Sequence, residues 1–430
     1  MSQELPYYVP GIVPPMGPSP VNTDALVSLL QRYMSIDHIV WESLAPQSGQ
    51  VIARFIGWIH GDTEQAYREL DAHLQGWHIT PLFRFTPDRK RHMVVLIQGR
   101  LQPQPSRVWV NALLFVLTLL SVMLTGFLYH GGGLEALVGV MRFPGVERHW
   151  AELGRAFWRG MGFTAALMGI LLVHELGHYF AARWHRVSVT LPYFIPFPPF
   201  LSPFGTLGAF IRLKAPPTNR RVLLDIGLAG PLAGFLVAIP TLFLGLALSR
   251  VHPLPSSASG EQLFLEGNSL LYLLAKWLLF GQPLPQPLTY EGPAWLHWLR
   301  FFFTGRPIPW GGTDVVLHPV AFAAWAGLLV TALNLIPVGQ LDGGHIVYAW
   351  LAHRAARLRP WVLGALVVLG LVWTGWWLWF FIAWTIGRAY AEPLDTVTPL
   401  DPPRRALAWV GMLLLVLTFV PVPMQIAMGR

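Results

Sequence analysis

Gly169-Ile-Leu-Leu-Val-His174-Glu175-Leu-Gly-His178-Tyr-Phe180 is an apolar segment that carries three titratable groups. Its hydrophobicity predicts a helix in lipid, and the pattern H-E-x-x-H then puts both imidazoles on one helix face. Glu175 points to a different face and is free to act as a base on water. Ionisable groups inside a bilayer are costly and usually mark function. With 15 His and 12 Glu in 430 residues, chance would produce the pattern only about 0.015 times. An apolar setting lowers that further.

Composition points to the same solvent. The chain is 53% hydrophobic and 12% charged, against about 25% charged in ordinary soluble domains. Its 20 Trp and 25 Phe suit a protein with aromatic residues at lipid interfaces. The net charge is +8 without a dense Lys/Arg run. The excess therefore reads as charge flanking membrane spans, and no nucleic-acid partner is expected. Cysteine is absent, which excludes disulfides, thiolate metal sites and cysteine catalysis. Any metal must be held by His, Asp or Glu.

Residues 1–21, rich in Pro and Tyr, lack the basic start and apolar core of a signal peptide and are expected to form a disordered tail. Residues 22–100 predict a small soluble α/β domain in the order α-β-β-α-β-β. Helices are expected after Asn22-Thr23-Asp24 and Gly61-Asp62-Thr63. Strands are expected at 38–43, 51–59, 79–85 and 92–97. The Pro-rich stretch 101–107 is a linker, and 108–430 is the transmembrane protease domain expected from the motif, with its catalytic core at about 161–352. Spans of the length a bilayer requires fall at about 108–129, 161–182, 223–249, 319–340, 361–385 and 405–428. Residues 269–280 are too short to cross and carry Lys276, so an interfacial or re-entrant helix is expected there. The fold class is thus an α-helical polytopic membrane protein of about six transmembrane helices, with a re-entrant loop and strand and a small N-terminal α/β cytoplasmic domain.

Loop charges orient it. Arg183, Arg186, Arg212, Lys214, Arg220 and Arg221 lie between the second and third spans, and Arg354, Arg357 and Arg359 follow the fourth. Both loops are expected in the cytoplasm, together with the N-terminal domain and the C-terminus. Arg142, Arg148, Arg155 and Arg159 lie on the other side against the rule. About ~14 Å of helix separates His174 from Arg183, so the metal should sit below the membrane surface, nearer the cytoplasm.

A catalytic zinc takes three protein ligands and leaves a position open. Asp342 is the candidate third ligand, in Asn334-Leu-Ile-Pro337-Val-Gly-Gln-Leu341-Asp342-Gly343-Gly344-His345. Pro337, Gly339 and the Gly pair break the helix where irregular backbone can line a polar cavity. The alternative for Asp342 is a helix cap or turn former.

Together these residues resemble the site-2 protease family of intramembrane zinc metalloproteases. Three elements carry the likeness: His174-Glu175-Leu-Gly-His178, Gly230-Pro231-Leu-Ala-Gly234, and Asn334-x-x-Pro337 leading to Leu341-Asp342-Gly343. The α/β cap and Gly339-Gln-Leu-Asp-Gly-Gly-His345 are similar to the cyanobacterial and plastid branch of that family. The resemblance implies His174, His178 and Asp342 as ligands to one zinc per chain, with Glu175 as general base. It also implies cleavage of a substrate transmembrane helix, often after another protease has trimmed it. The implied partners are transmembrane protein substrates and the lipid bilayer; the oligomeric state stays open. A bacterial plasma membrane is the expected location, with an internal photosynthetic membrane as the alternative.

Other residues carry two readings each. Asn334 is either a donor to the substrate carbonyl or oxyanion, or an interhelical hydrogen-bonding residue. His345 is a residue behind the metal ligands or an interfacial one. Gly230 and Gly234 read as close helix packing that also leaves room near the metal. Asp225 is expected to pair with Arg221. Residues 205–214 look extended, and a re-entrant strand beside the site could pair with an unwound substrate. A transporter would spread its charges over several spans, and an inactive scaffold would lack a ligand or the base. Neither description fits the residues present.

Overall fold

The structure, a computed structural model, describes residues 12–13, 22–41, 51–102, 105–143, 147–256, 262–290 and 292–428. Strand β1 (Ile12–Val13) pairs antiparallel with β6 (Arg100–Leu101). Of the tail expected at 1–21, Ile12 and Val13 are described as this short strand, and the rest lies outside the described residues. Helix α1 (Thr23–Gln31) starts where the Asn22 side chain accepts the Asp24 and Ala25 amides. Strands β2 (Met34–Trp41) and β3 (Val51–Ile59) follow. Helix α2 (Thr63–Gln75) is capped by Asp62, and β4 (Ile79–Phe85) and β5 (His92–Gln98) complete an antiparallel sheet of order β2-β3-β5-β4. Leu26, Leu30, Leu70 and Leu74 pack with Phe55, Phe83 and Val95 in its core. Leu394 and Val397, from the far end of the chain, belong to the same core.

Helix α3 (Val108–Thr125) runs into a π-helical turn at Gly126–His130. Its outward face carries Leu113, Val116, Leu117, Leu120 and Leu124, all exposed, which suits lipid and not water. After α4 (Gly133–Arg142), the 38-residue α5 (Glu147–Trp184) leads through β7 (Tyr193–Pro196) and β8 (Thr206–Phe210) to α6 (Arg220–Ala247). A section of strands β9 (Arg250–Pro253) and β10 (Gln262–Glu266) and helices α7 (Leu270–Phe280) and α8 (Ala294–Thr304) follows, then β11 (Thr313–Val316). Helix α9 (Pro319–Asn334) precedes α10 (Asp342–Leu351), a 3-10 turn at Ala352–Leu358 and α11 (Arg359–Val372). Helices α12 (Trp376–Ile386) and α13 (Pro402–Thr418) and strand β12 (Met424–Met428), paired with β10, close the chain.

Among the described residues, four helical runs are long and apolar enough to cross a membrane: Val108–His130, Glu147–Trp184, Arg220–Ala247 and Asp342–Val372. The first three contain most of the first three expected spans. The other three expected spans are divided differently. Helix α9 stops at Asn334 because Pro337 and Gly339, at φ +56°, force a turn. Ala321 to Leu329 of α9 are buried throughout, and a helix enclosed by protein need not match the bilayer thickness. The expected span 361–385 is broken at Trp373-Thr374-Gly375 into α11 and α12. The last expected span is helical only to Thr418, after which Pro421 and Pro423 lead into β12.

Residues 185–214 form a deep re-entrant segment. The α3 side chains secure its carbonyls: Asn111 Nδ2 donates to Leu191 O at 2.8 Å, and Ser121 Oγ donates to Phe197 O at 2.6 Å. His130 Nε2 donates to Pro203 O at 2.8 Å. Asn111 and His130 lie roughly 28 Å apart along their helix, so the segment follows nearly the whole length of that helix. Irregular backbone among apolar helices persists where protein donors replace water.

Candidate metal centre and active site

Small residues bring α5 and α6 together. A Cβ added to Gly177 would stand 2.5 Å from Ala229 O, so the helix backbones are in close contact there. Along α6, Gly227, Gly230 and Gly234 share a face, and each meets an imidazole side chain. Added Cβ atoms would lie 2.9 Å from His345 Cβ, 2.1 Å from His178 Nε2 and 3.0 Å from His174 Cβ, respectively. The Gly-Pro-Leu-Ala-Gly motif therefore does both things read from it: it packs helices and leaves room for the histidines.

Asp342 enters from the other side as the first residue of α10. Its position depends on the break before it. A Cβ at Gly343 would lie 1.9 Å from Leu335 O and one at Gly344 2.3 Å from Gly339 O, so only glycine allows the chain to fold back this tightly. The helix N-cap is Leu341, with no side-chain cap bond. The Asp342 carboxylate turns instead toward the histidines.

Nε2 of His174, Nε2 of His178 and Oδ2 of Asp342 are each 3.3 Å from the other two. Tetrahedral ligands at about 2.0–2.1 Å from zinc are themselves about 3.3–3.4 Å apart. The three atoms thus have the spacing of three corners of a zinc tetrahedron, and they form a group that could hold a metal ion. His178 Nδ1–H donates to Ile226 O at 2.7 Å, which leaves the Nε2 lone pair directed at the centre, as an outer partner of a metal-bound histidine does. All three histidine and glutamate residues of the motif, His174, Glu175 and His178, are buried.

A cavity of about 130 Å³ adjoins the group, lined by Glu175, Asn334, His345 and, from the re-entrant segment, Ala209 and Phe210. Strand β8 pairs with β7 alone in a two-stranded sheet. The extended segment expected at 205–214 thus lies beside the site with one ladder edge unpaired, its strand proper being Thr206–Phe210. Asn334 ends α9 facing this cavity, and its side chain makes no hydrogen bond among the described residues. The interhelical bond considered for it is not found. His345 Nδ1 is buried without a partner.

One expected pairing is corrected. Asp225 does not pair with Arg221. It accepts two bonds from Arg404, at 2.9 and 2.7 Å, and lies 2.9 Å from His185 Nε2. Arg221 reaches Glu64 at 2.6 Å instead. The two residues are one turn apart on α6, but each is drawn to a different neighbouring element. Lys276, on the short helix expected to be interfacial or re-entrant, is fully buried, 4.0 Å from both Glu266 and Asp314 and 4.3 Å from the Tyr272 ring centroid. Sequence reasoning also missed the Ile226 carbonyl and Gly227. Gly227 could have been found from its spacing of three from Gly230 on the same helix face.

Fold and site set a group that could hold a metal ion among long apolar helices. Residues 162–372 match the model of Peptidase family M50. The chain is 33% identical over 267 residues to the probable zinc metalloprotease EGY1, chloroplastic, of Arabidopsis thaliana, which covers 60% of this chain and 42% of that protein. It is 27% identical over 399 residues to the probable zinc metalloprotease EGY2, chloroplastic, of Oryza sativa subsp. japonica, covering 90% of this chain and 64% of that one. The chain thus spans about two fifths to two thirds of the length of these relatives. No solved structure matches it significantly.

Proposed function

We propose that the chain is an intramembrane zinc endopeptidase that hydrolyses peptide bonds within or near transmembrane helices of membrane-protein substrates, as in regulated intramembrane proteolysis. The 3.3 Å triangle of His174, His178 and Asp342 carries this reading. These three residues would hold the zinc. When bound, the ion polarises the scissile carbonyl and acidifies water at the site. Glu175 accepts the proton of the attacking water and returns it to the leaving amine. Asn334, with a free side chain on the cavity, donates to the oxygen that develops negative charge. His345 stands behind Asp342 and shapes the pocket wall.

A helical substrate hides its amides, so it must unwind to be cut. The free edge of β8 offers main-chain partners to such an extended segment, with Ala209 and Phe210 beside the cavity. In the membrane, α3, α5, α6, α9, α11, α12 and α13 together make about seven crossings, one more than expected, because the expected span 361–385 is divided into α11 and α12. The α/β unit at 22–100 faces the cytoplasm, where the Arg-rich loops lie, but the C-terminus, expected beside it, is on the other side: Arg404 at the start of α13 meets Asp225 in the first turns of α6, whereas β12 pairs with β10 beyond the far end of α6. A bacterial plasma membrane suits this arrangement. The chloroplastic names of the plant relatives keep an internal photosynthetic membrane as the second reading.

The test is zinc content and cleavage of a model transmembrane substrate in liposomes, comparing the native chain with Glu175→Gln. We expect one zinc in each and cleavage only by the native chain. Equal cleavage by both would remove Glu175 from the mechanism, and folded protein without zinc would remove the metal centre.

A further inference from the structure

A second polar cavity, of about 460 Å³, lies where the α/β unit meets the membrane helices. Arg84 and Arg89 line it from the β4–β5 hairpin, Arg220 from the first residue of α6, and His353 and Arg354 from the turn after α10. Glu392 is the one acid in its lining. None of the four arginines has an ion-pair partner among the described residues. Arg84 is fixed by backbone carbonyls, with NH1 donating to Leu394 O at 2.7 Å and Pro393 O at 3.0 Å. Arg220 Nε donates to Thr398 O at 3.2 Å. Neither has a buried nitrogen left without a partner, so their remaining donors reach open space. The side chains of Arg89 and Arg354 are exposed.

The charges do not balance. Asp395 lies near Arg220, but its carboxylate already accepts from the Val397 and Thr398 amides at 2.8 and 3.0 Å and from the Thr398 hydroxyl. Counting it with Glu392 against four guanidinium groups leaves an excess of two positive charges. A solvated basic flank would spread its arginines into water. Here three separate parts of the chain bring them around one cavity, and carbonyls hold two of them in place. Guanidinium forks match phosphate oxygens in pairs, and a phosphate monoester carries about −1.5 to −2 charges at neutral pH.

We propose that this cavity binds a phosphate-bearing anion, either a soluble phosphate compound or the headgroup of an anionic phospholipid, and that the ligand ties the α/β unit to the catalytic helices. The elements it would join are relevant to the metal site. Helix α6 carries the glycines against the histidines, and α10 carries Asp342 at its other end.

The test uses full-length protein and the double variant Arg89→Gln/Arg354→Gln, whose positions are exposed. Thermal unfolding is followed in neutral detergent with added pyrophosphate against sodium chloride of equal ionic strength. It is repeated in nanodiscs of phosphatidylcholine with and without phosphatidylglycerol. A soluble ligand predicts a saturable rise in melting temperature with pyrophosphate, at least tenfold weaker in apparent affinity for the variant. A lipid headgroup predicts no such rise, but a native-over-variant stabilisation that appears only with phosphatidylglycerol. The pair Arg89→Lys/Arg354→Lys keeps the charge and should recover part of either response, which separates loss of the site from misfolding. Equal behaviour of native and Gln variant in both settings overturns the proposal.

Discussion

A Cβ on Gly230 would stand 2.1 Å from the nitrogen that His178 offers to the metal, while one on Gly169, two turns of α5 away, would meet nothing within 4 Å. Gly230→Ala should therefore push the His178 ring off the centre and lower zinc affinity by about 10–100-fold, the range seen when residues supporting metal ligands are lost. Gly169→Ala should leave zinc content unchanged. Titration with a fluorescent zinc chelator measures both, and equal affinity in the two variants would refute the steric role of Gly230. At this scale much was legible. H-E-x-x-H puts two imidazoles on one helix face through helix geometry alone, and the glycine-rich break around Asp342 marks where an acid can leave a helix. What could not be read were interactions with no side-chain signature, such as the Ile226 carbonyl that orients His178. Every residue has a carbonyl, and only the packing of α6 on α5 selects that one.

Among elements, the re-entrant segment depends most on borrowed donors. Asn111→Leu would strip the carbonyls of Leu191 and Pro192 of their partner, at a cost of about 1–3 kcal/mol in a site that water cannot reach. Hydrogen exchange in β7 and β8 should accelerate and cleavage should fall, with zinc content unchanged; unaltered exchange there would show that α3 does not secure the segment. Helix α2 gives a pH prediction. Amide bonds from Gln65 and Glu64 hold the Asp62 carboxyl below the usual carboxylate range. Its cap therefore contributes fully above the unfolded value of about 3.9 and is lost as pH falls through the lower folded value. Asp62→Ala should cost about 1 kcal/mol at neutral pH and little in strong acid, read from first-turn exchange protection corrected for intrinsic rates. Element boundaries were legible where chemistry punctuates them, as with Val51–Ile59 and the Asp62 cap. They were not legible in the last three expected spans. A hydropathy window sees only apolar content, whereas Gly339, the 373–375 break and the prolines after Thr418 divide that content by backbone geometry and tertiary pairing.

For the whole molecule, residues 392–398 connect parts that the sequence keeps far apart. Phe83 N donates to Leu394 O at 3.1 Å, and the Leu394 and Asp395 amides donate to Pro217 and Thr218 carbonyls at 2.9 and 2.8 Å. One irregular segment thus joins the α/β sheet to the start of α6 through isolated bridges, and no local pattern announces it. The group of His174, His178 and Asp342 makes a connection of the same kind, since its three side chains come from α5 and α10. Without a cation, these buried electron-rich atoms face one another at 3.3 Å and require a shared proton to coexist. Zinc binding therefore competes with protons and should weaken as pH falls. It should also stabilise the bundle, because a ligand that binds only the folded state adds about 2.7 kcal/mol at a hundredfold excess over its Kd. Chelation should accordingly lower the melting temperature of the native chain in detergent and restore it on zinc readdition. His174→Ala/His178→Ala, which lacks two of the three donors, should melt at one temperature with or without chelator. If the native chain also melts independently of chelator and zinc, the triangle of His174, His178 and Asp342 is held by protein packing alone and the metal plays no part in joining α5 to α10.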